Sequence, residues 1–234
     1  MDKKAKIYEG KAKILYETDA PDQLIQYFKD DATAFNAAKK GTIQDKGIVN
    51  NKISTKIFEY LQSNGIPTHF IKFLNDREML VKRVKIVPLE VIVRNVAAGS
   101  LSRLLNIKEG TVLKCPVLEF CYKEDSLGDP LINEYHVLAL GYATQEEVDA
   151  IKNYTFKINE LMKKFFDSMG IDLVDFKLEF GRYQGNIILA DEISPDTCRL
   201  WEKGTGRKMD KDRFRRDLGN IEEAYQEVLS RVTK

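Results

Sequence analysis

The segment DLVDFKLEF at residues 172–180 constrains the fold of this chain more than any other. Side chains of a β-strand alternate between two faces, and here one face is apolar while the other alternates acid, base and acid. Such a strand fits an antiparallel sheet that covers a core on one side and is ordinarily solvated on the other. The apolar face carries Val174, Phe176, Leu178 and Phe180, and the charged face carries Asp175, Lys177 and Glu179.

The next predicted strand, NIILADEISPD, brings further carboxylates towards that charged face. If residues 183–185 form a three-residue turn, Glu179 pairs near Leu189 and Asp191 shares its face. A two-residue turn would instead bring Glu192 to face Glu179. Two neighbouring carboxylates repel each other unless a cation lies between them. Oxygen ligands of this kind suit Mg²⁺, which takes substrate phosphates as further ligands, so we predict a paired-carboxylate metal site.

The opening residues YEGKAK predict a β-hairpin that contacts phosphate. Polar and apolar residues alternate on both sides of Glu9-Gly10, which is typical of a hairpin. Lys11 and Lys13 are two positions apart and share a face, and Gly10 lets the backbone approach a ligand closely. A glycine turn followed by two such lysines fits a phosphate clamp. A solvated, lysine-rich hairpin is the alternative interpretation.

The segment VIVRNVAAGSLSRLL predicts a second anion site. An apolar strand delivers Arg94, small residues follow, and Ser100 caps a predicted short helix. The free N–H groups and the positive end of a helix suit an anion, and an arginine adds a bidentate donor. An ordinary capped helix with a surface arginine is the alternative. A second cation, Arg199, follows the acidic residues of the NIILADEISPD strand.

The order of the predicted elements indicates an α+β fold. Strands dominate the first half of the chain and helices the second, unlike the alternation of a doubly wound sheet. Thr144 and Glu147 form a capping box before the longest predicted helix, residues 145–169. Pro88 separates two predicted strands and indicates a lobe boundary. Residues 32–47 are polar and aperiodic, so we predict a mobile loop there.

Composition argues against several classes of protein. The 37 basic and 36 acidic residues leave a net charge of +1, so there is no global field that would attract nucleic acid or a membrane. No apolar segment is long enough to cross a bilayer, and the first residues lack the apolar region of a signal peptide. We therefore expect a cytoplasmic protein. Cys115, Cys121 and Cys198 lack zinc-site spacing and are typical of thiols in a reducing compartment.

Two anion sites and one metal site together predict that ATP with Mg²⁺ binds beside a second phosphorylated substrate. The residues alone leave three functions open. A ligase would need a third substrate before it forms product, whereas a small-molecule kinase would phosphorylate its acceptor without one. A non-catalytic nucleotide sensor would bind ATP without releasing ADP. Neither a GxxxxGK[ST] nor a GxGxxG phosphate loop occurs in the chain.

The chain resembles the SAICAR synthase family in six motifs spread over nearly its whole length. The resemblance implies a two-lobed α+β fold, related in outline to protein kinases and ATP-grasp enzymes, with antiparallel sheets, flanking helices and ATP in the cleft between lobes 1–86 and 87–234. The motifs are YEGKAKI at 8–14, KGIVNNKIS at 46–54, EVIVRNVAAGSL at 90–101, LVDFKLEFG at 173–181, DEISPDTCRLW at 191–201 and MDKDRFRRDLG at 209–219.

The resemblance also implies a reaction and its partners. Members of the family join L-aspartate to carboxyaminoimidazole ribotide (CAIR), giving the succinocarboxamide SAICAR, ADP and phosphate in de novo purine biosynthesis. They use ATP and Mg²⁺, and the route expected here passes through an acyl phosphate. The expected partners are therefore small molecules rather than nucleic acid or membrane, together with a second copy of the chain in a homodimer.

Site residues follow from the same motifs. Family members often carry Asp where this chain has Asn36, so we assign no charged role there. Asp175 and Asp196 are the candidates for a general base, and the sequence does not choose between them. For the nucleotide and its metal, the resemblance assigns Gly10, Lys11, Ala12 and Lys13 to the ATP phosphates; Val81, Lys82 and Val84 to the adenine cleft; and Glu179 and Asp191 to Mg²⁺. For the other substrates, it assigns Arg94, Ser100 and Arg199 to the CAIR phosphate; Lys177 and Asp196 to the surroundings of CAIR; and Asp129 and Arg215 to the CAIR and aspartate pockets.

Overall fold

The computed structural model describes residues 2–34 and 39–234. The strands of the first part of the chain are β1 (Lys6–Glu9), β2 (Lys13–Glu17), β3 (Gln23–Phe28), β4 (Asp31–Ala34), β5 (Lys39–Thr42), β6 (Phe70–Asn75) and β7 (Glu78–Lys82). They form a five-stranded antiparallel sheet in the order β1-β2-β3-β7-β6 and a two-stranded sheet of β4 and β5. Helix α1 (Lys46–Ser63) lies between β5 and β6 in the chain and packs against β3 and β6. The predicted opening hairpin is therefore confirmed.

The rest of the chain builds a second sheet with helices. Its strands are β8 (Lys85–Ile86), β9 (Leu89–Val96), β10 (Val112–Tyr122), β11 (Leu131–Ile132), β12 (Ile171–Tyr183), β13 (Asn186–Ala190) and β14 (Cys198–Glu202). Its helices are α2 (Gly99–Leu105), α3 (Glu134–Ala139), α4 (Gln145–Asp167), α5 (Asp212–Arg215) and α6 (Ile221–Val232). The main path of the sheet is β11-β10-β9-β12-β13, and β8 and β14 also pair with β12. The predicted α+β class with antiparallel sheets is confirmed.

Strand β12 lies at the centre of the second sheet and sets the geometry of the site. Its first half pairs with β9 on one side and β14 on the other, and its second half pairs with β13 and β8. Asp175 therefore stands opposite Arg94 in one ladder and opposite Arg199 in the other. Three charged residues that are far apart in sequence become lateral neighbours through this pairing.

The apolar face of β12 is buried as the alternation predicts. Val174, Phe176 and Leu178 are at most 1% exposed, and Phe176 and Leu178 belong to the main core cluster. Helix α4 packs against this strand, and its predicted capping box is present because Thr144 and Glu147 each bond the other's backbone N–H. Among the described residues, no helix combines the length and the apolar character needed to cross a membrane.

The predicted three-residue turn before β13 is wrong. Tyr183 pairs with Asn186 and Glu179 with Ala190, which leaves the two-residue turn Gln184-Gly185. Both turn residues have positive φ, 49° and 79°, as in the type I′ turns that match strand twist. Glutamine is an unusual residue for that conformation, so the sequence carried only a weak signal for this register.

The predicted mobile loop at residues 32–47 is also wrong for most of its length. Asp31 pairs with Thr42 in a two-stranded sheet, and α1 already begins at Lys46. Residues 35–38 lie outside the described part of the chain, and with them the expectation about Asn36. The two strands are short and polar, so the sequence shows no alternating apolar pattern there. Even so, Ala32 of β4 is buried, with only 1% of its surface exposed.

The backbone passes from the first sheet to the second between β7 and β8, close to the predicted lobe boundary. Val84 lies in this crossing and packs on Gly181 of β12. A β-carbon at Gly181 would lie 2.7 Å from the β-carbon of Val84, so the close approach of the crossing segment requires glycine. The division into lobes 1–86 and 87–234 stays a prediction.

Candidate active site

A cavity of about 720 Å³ is lined by residues of both large sheets. Its size is that of a small-molecule binding site. Every residue that the sequence assigned to the site lines it: Gly10, Lys11, Ala12, Lys13, Val81, Lys82, Val84, Arg94, Ser100, Asp129, Asp175, Lys177, Glu179, Asp191, Asp196, Arg199 and Arg215.

The charged face of β12 is enclosed rather than solvated. Asp175 and Glu179 are each 4% exposed, and Lys177 is half-buried between them. Burial of charge is unfavourable unless a partner or a ligand compensates it. This face therefore forms part of the cavity wall, and the interpretation as an ordinary solvated sheet surface is excluded.

Glu179 and Asp191 reach the same cavity although their strands do not pair them directly. Glu179 stands opposite Ala190, so strict alternation would turn the next residue, Asp191, to the other face. Asp191 instead adopts a left-handed conformation with φ 63°, which breaks the alternation just after β13. Its carboxylate bonds Lys13, and Lys177 lies 2.9 Å from Glu179.

Lysines surround this acidic pair. Lys123 lies 2.9 Å from Glu179, and Lys13 contacts both Asp191 and, at 3.0 Å, Glu192. Burial disfavours the charged form of Asp191, but Lys13 and Lys177 outweigh burial and hold the pKa of Asp191 below its ordinary value. The carboxylate is therefore ionised at neutral pH.

The donor set fits Mg²⁺ in its nucleotide-bound form. Mg²⁺ commonly takes one or two protein carboxylates and completes its shell with water and substrate phosphates. Glu179 and Asp191 supply two such oxygen donors on the wall of one cavity. No cluster of three or more His, Cys, Asp or Glu suited to a metal occurs within residues 2–34 and 39–234.

An ion-pair cluster lies where the sequence predicts the second anion site. Asp175 lies between two arginines, 3.2 Å from Arg94 Nη1 and 2.8 Å from Arg199 Nη1. Arg94 also donates to Ser100 Oγ at 2.8 Å and to Glu119 at 2.7 Å. Burial raises the pKa of Asp175 despite both arginines. Asp175 is thus engaged in holding the two guanidinium groups.

Gly99 brings Arg199 onto the start of α2. A β-carbon on Gly99 would lie 2.5 Å from Arg199 Nη2, and Gly99 has a φ of 56° that disfavours other residues. The guanidinium therefore rests against the helix start where Ser100 lies. This arrangement groups two arginines, a hydroxyl and free backbone N–H groups, which suits a phosphate.

Asp196 is held by a buried cluster. Its carboxylate accepts hydrogen bonds from Lys46 Nζ and Tyr225 Oη, both at 2.7 Å, while Lys211 Nζ lies 3.5 Å away. Burial opposes the charged form, yet Lys211 and Lys46 outweigh it and lower the pKa of Asp196. A carboxylate so engaged is a weak candidate for a general base.

The opposite end of the cavity is mainly apolar, with one buried imidazole. Leu15, Leu24, Val81 and Val84 line it together with His69. His69 is 3% exposed, and neither ring nitrogen has a hydrogen-bond partner within the described chain. Burial lowers the pKa of His69 to about 3, so the ring is neutral. The apolar side chains of this slot fit the face of a heteroaromatic base.

Comparison with known proteins adds an independent line of evidence. The sequence family described as SAICAR synthetase matches residues 6–232. The chain belongs to the SAICAR synthetase family. The resemblance inferred from the motifs is thereby confirmed.

Individual SAICAR synthetases agree with the chain over nearly its full length. The phosphoribosylaminoimidazole-succinocarboxamide synthase of Caldanaerobacter subterraneus is 62% identical over 99% of both chains, and one from Clostridium botulinum is 61% identical over 100% of both. The crystal structure of the Ehrlichia chaffeensis enzyme superposes with a TM-score of 0.97 at 49% identity, covering 98% of each chain. A SAICAR synthetase in complex with ADP gives a TM-score of 0.94 at 48% identity, covering 97% of each.

Several residues that line the cavity of this SAICAR synthetase family member carry no clear sequence signal, among them Lys123, Lys211 and His69. Lys123 reaches Glu179 only because β10 and β12 both flank β9. Lys211 lies in a recognised motif but carries no local pattern that marks it as a cavity residue. His69 immediately precedes β6 and has no distinctive neighbour in the sequence. Their roles depend on how strands pair, which local spacing does not encode.

Proposed function

We propose that the chain catalyses the ATP-dependent joining of L-aspartate to CAIR, which gives SAICAR, ADP and phosphate. Membership of the family supports this reaction. The observation that carries the proposal is the continuity of one cavity, in which the acidic pair at Glu179 and Asp191 lies between the lysine hairpin and the arginine pocket. A nucleotide phosphate and a second phosphorylated substrate can meet there.

ATP is proposed to enter from the side of the hairpin. The apolar slot at Val81, Lys82 and Val84 receives adenine, and Gly10 and Ala12 let the hairpin backbone approach the phosphates. Lys13 is inside the cavity, whereas Lys11 stands at its mouth, 2.7 Å from Asp125. The two lysines offset negative charge on the transferring phosphoryl group.

Mg²⁺ is proposed to bind at Glu179 and Asp191. When bound, Mg²⁺ would supply positive charge that stabilises the charge developing on the transferring phosphoryl group. The protein's own contribution is to enclose both carboxylates and to surround them with cations. These cations are Lys13, Lys123 and Lys177, which offset the charge of the carboxylates.

CAIR is proposed to place its phosphate among Arg94, Ser100 and Arg199. That position leaves its imidazole carboxylate directed along the charged face towards Lys177, with Asp196 beside it. Arg215 and Asp129 also line the cavity and are proposed to border both the CAIR and the aspartate pockets. Because the arginines are already ordered by Asp175, little side-chain freedom is lost when the phosphate binds.

The chemistry then takes two steps. A carboxylate oxygen of CAIR attacks the γ-phosphorus of ATP, the bond to the β-γ bridging oxygen breaks, and ADP leaves. The amine of aspartate attacks the resulting acyl carbon, and phosphate leaves with the former carboxylate oxygen. Enclosure of the cavity protects the acyl phosphate from water. Since Asp175 and Asp196 are both engaged with cations, we favour positioning roles for them over general-base roles.

Other parts of the proposal concern the whole protein. We infer a cytoplasmic location, a homodimer and a two-lobed arrangement, 1–86 and 87–234, with the nucleotide between the lobes. A small-molecule kinase is the second candidate, because the same cavity would serve phosphoryl transfer to a phosphorylated acceptor.

Transfer of an isotope tests the proposed chemistry. CAIR labelled with ¹⁸O in its carboxylate is expected to give one labelled oxygen in the released phosphate, because the acyl phosphate breaks at the carbon–oxygen bond. Phosphate free of label, in reactions that still form SAICAR, would contradict the acyl-phosphate route. Mass spectrometry of the phosphate is the measurement.

A further inference from the structure

Asp212 is buried behind the cavity wall and holds two of its arginines. It is the first residue of α5 and is 1% exposed. Its Oδ2 accepts a hydrogen bond from Arg199 Nε at 2.9 Å, and its Oδ1 accepts one from Arg215 Nη1 at 2.7 Å. One carboxylate therefore joins two guanidinium groups that come from different elements.

Arg199 is restrained from two sides by this contact. Asp212 holds Nε, and Asp175 holds Nη1 at 2.8 Å. The remaining nitrogen, Nη2, lies against Gly99 at the start of α2 and has no hydrogen-bond partner within residues 2–34 and 39–234. The two acids thus leave one nitrogen of the guanidinium available at the helix start. A planar guanidinium fixed in this way is preorganised for an oxyanion.

Arg215 is oriented by the same acid through helix geometry. Positions i and i+3 of a helix lie on one face, so Asp212 and Arg215 are adjacent within the single turn of α5. Arg215 also lines the cavity, whereas Asp212 does not. Burial opposes the charged form of Asp212, but Arg199 and Arg215 outweigh it and lower its pKa to about 2. The acid stays charged throughout the neutral range.

We propose that Asp212 is a positioning residue for the phosphorylated substrate, because it sets the orientation and spacing of Arg199 and Arg215 in the cavity. The substrate class is an imidazole ribotide that carries both a phosphate and a carboxylate. The inference rests on the proposed function. A merely structural Asp212 would hold α5 in place and affect stability without a selective effect on this substrate.

Binding measurements on Asp212→Asn separate the two roles. We expect the Kd for CAIR, measured by calorimetry without ATP or aspartate, to rise about tenfold, since a charge-assisted contact to each arginine is weakened. The KM for CAIR rises in parallel. The Kd for ADP stays within about twofold, because the nucleotide end of the cavity is untouched.

Glu109→Gln is the matched control. Glu109 also pairs with cations of this region, Arg216 at 2.7 Å and Lys208 at 3.0 Å, but it contacts neither Arg199 nor Arg215. Its removal is expected to leave the Kd for CAIR and the Kd for ADP unchanged. Thermal unfolding of both variants records any loss of stability.

The outcomes distinguish this inference from the proposed function. If Asp212→Asn unfolds at a lower temperature but binds CAIR as the wild type does, the positioning role is overturned. If Asp212→Asn does not fold, Asp212→Glu keeps the charge but displaces the carboxylate by one methylene; wild-type affinity for CAIR in that variant overturns the inference equally. A wild-type protein that does not bind CAIR overturns the proposed function and the inference with it.

Discussion

The cavity lysines that we assign to substrate phosphates form ion pairs with carboxylates in this structure. Lys11 contacts Asp125, and Lys13 contacts Asp191. Phosphate binding therefore exchanges one anionic partner for another rather than filling an empty positive pocket. Exposed pairs such as the first contribute little, so Lys11 is readily released to a ligand.

The acidic pair provides the first prediction at the residue scale. Glu179→Gln and Asp191→Asn are expected to abolish Mg²⁺-dependent ADP release, because each removes one of the two oxygen anions proposed to bind the metal. Circular dichroism checks that the fold persists. Full turnover in either variant would remove the metal assignment, and Glu109→Gln serves as a control for loss of one acid elsewhere.

Arg94→Ala gives the second prediction. We expect the KM for CAIR to rise much more than the KM for ATP, because Arg94 lines the proposed phosphate pocket beside Ser100. The variant also leaves Asp175 and Glu119 with one cation fewer, so we expect a loss of about 3–5 kcal/mol in the free energy of unfolding. Steady-state kinetics and urea unfolding measure the two effects. An unchanged KM for CAIR would refute the phosphate site.

At the residue scale, the sequence identifies the cavity residues that lie in an alternating strand or a recognised motif, and it misses those without such a local pattern. Asp175, Glu179 and Arg94 stand in strands whose alternation reveals the face they share. Lys123 and His69 reach the cavity only through strand pairing, which no local pattern encodes. The face of Asp191 was predicted for the wrong reason, because a left-handed residue rather than a three-residue turn aims it into the cavity.

At the scale of elements, the start of α2 depends on one glycine. Gly99→Ala is expected to lower the free energy of unfolding by about 1–2 kcal/mol, because alanine disfavours the left-handed backbone conformation of this position. A further loss is expected because the added β-carbon would clash with Arg199. Displacement of that guanidinium is expected to raise the KM for CAIR. Steady-state kinetics and urea unfolding are the measurements.

Gly141→Ala is the matched control for this element. Gly141 also has a positive φ, 67°, but no atom lies within 4 Å of its added β-carbon. Gly141→Ala is expected to lower the free energy of unfolding only by the amount that the left-handed backbone accounts for, and to leave the KM for CAIR unchanged. Equal effects of the two substitutions on the KM for CAIR would contradict the proposed contact between α2 and Arg199.

Elements with strong local patterns were predicted well, and polar or irregular ones were not. Helix α4 has a capping box and a continuous apolar stripe, so its start at Gln145 was predicted correctly. The pair β4 and β5 has no apolar alternation and was taken for a loop. The sequence allows either a three-residue or a two-residue turn before β13, because glutamine is not a typical residue of a type I′ turn.

At the scale of the whole molecule, two buried groups make opposing contributions to pH-dependent stability. Burial lowers the pKa of His69 from 6.5 to about 3, so below pH 6.5 the unfolded chain gains a proton that the folded chain does not. Burial raises the pKa of Asp210 from 3.8 to about 7, so between these values the folded chain holds the extra proton. The first group destabilises the fold as pH falls, and the second stabilises it.

Variants separate these contributions. Each variant is compared with the wild type at the same pH, as the pH is lowered from 6.5 to 4. The free energy of unfolding of His69→Leu is expected to rise by about 3 kcal/mol relative to that of the wild type over this interval. That of Asp210→Asn is expected to fall by about 3 kcal/mol relative to that of the wild type. Urea unfolding at several pH values measures both differences. Differences that do not change with pH would contradict the assigned protonation states.

The fold class and the family were accessible from sequence because the motifs lie on strands that carry the cavity. The arrangement of those motifs around one space was not, since it follows from β12 pairing with four other strands. The central claim is that this space unites ATP, CAIR and aspartate in one reaction.

A coupled assay of ADP release, with CAIR and aspartate omitted in turn, tests that claim most directly. Sustained release of ADP together with SAICAR is predicted only when ATP, Mg²⁺, CAIR and aspartate are all present. Sustained release with CAIR but without aspartate would show a kinase, and no release with the complete mixture would show a nucleotide-binding protein without this activity. Either result would contradict the account.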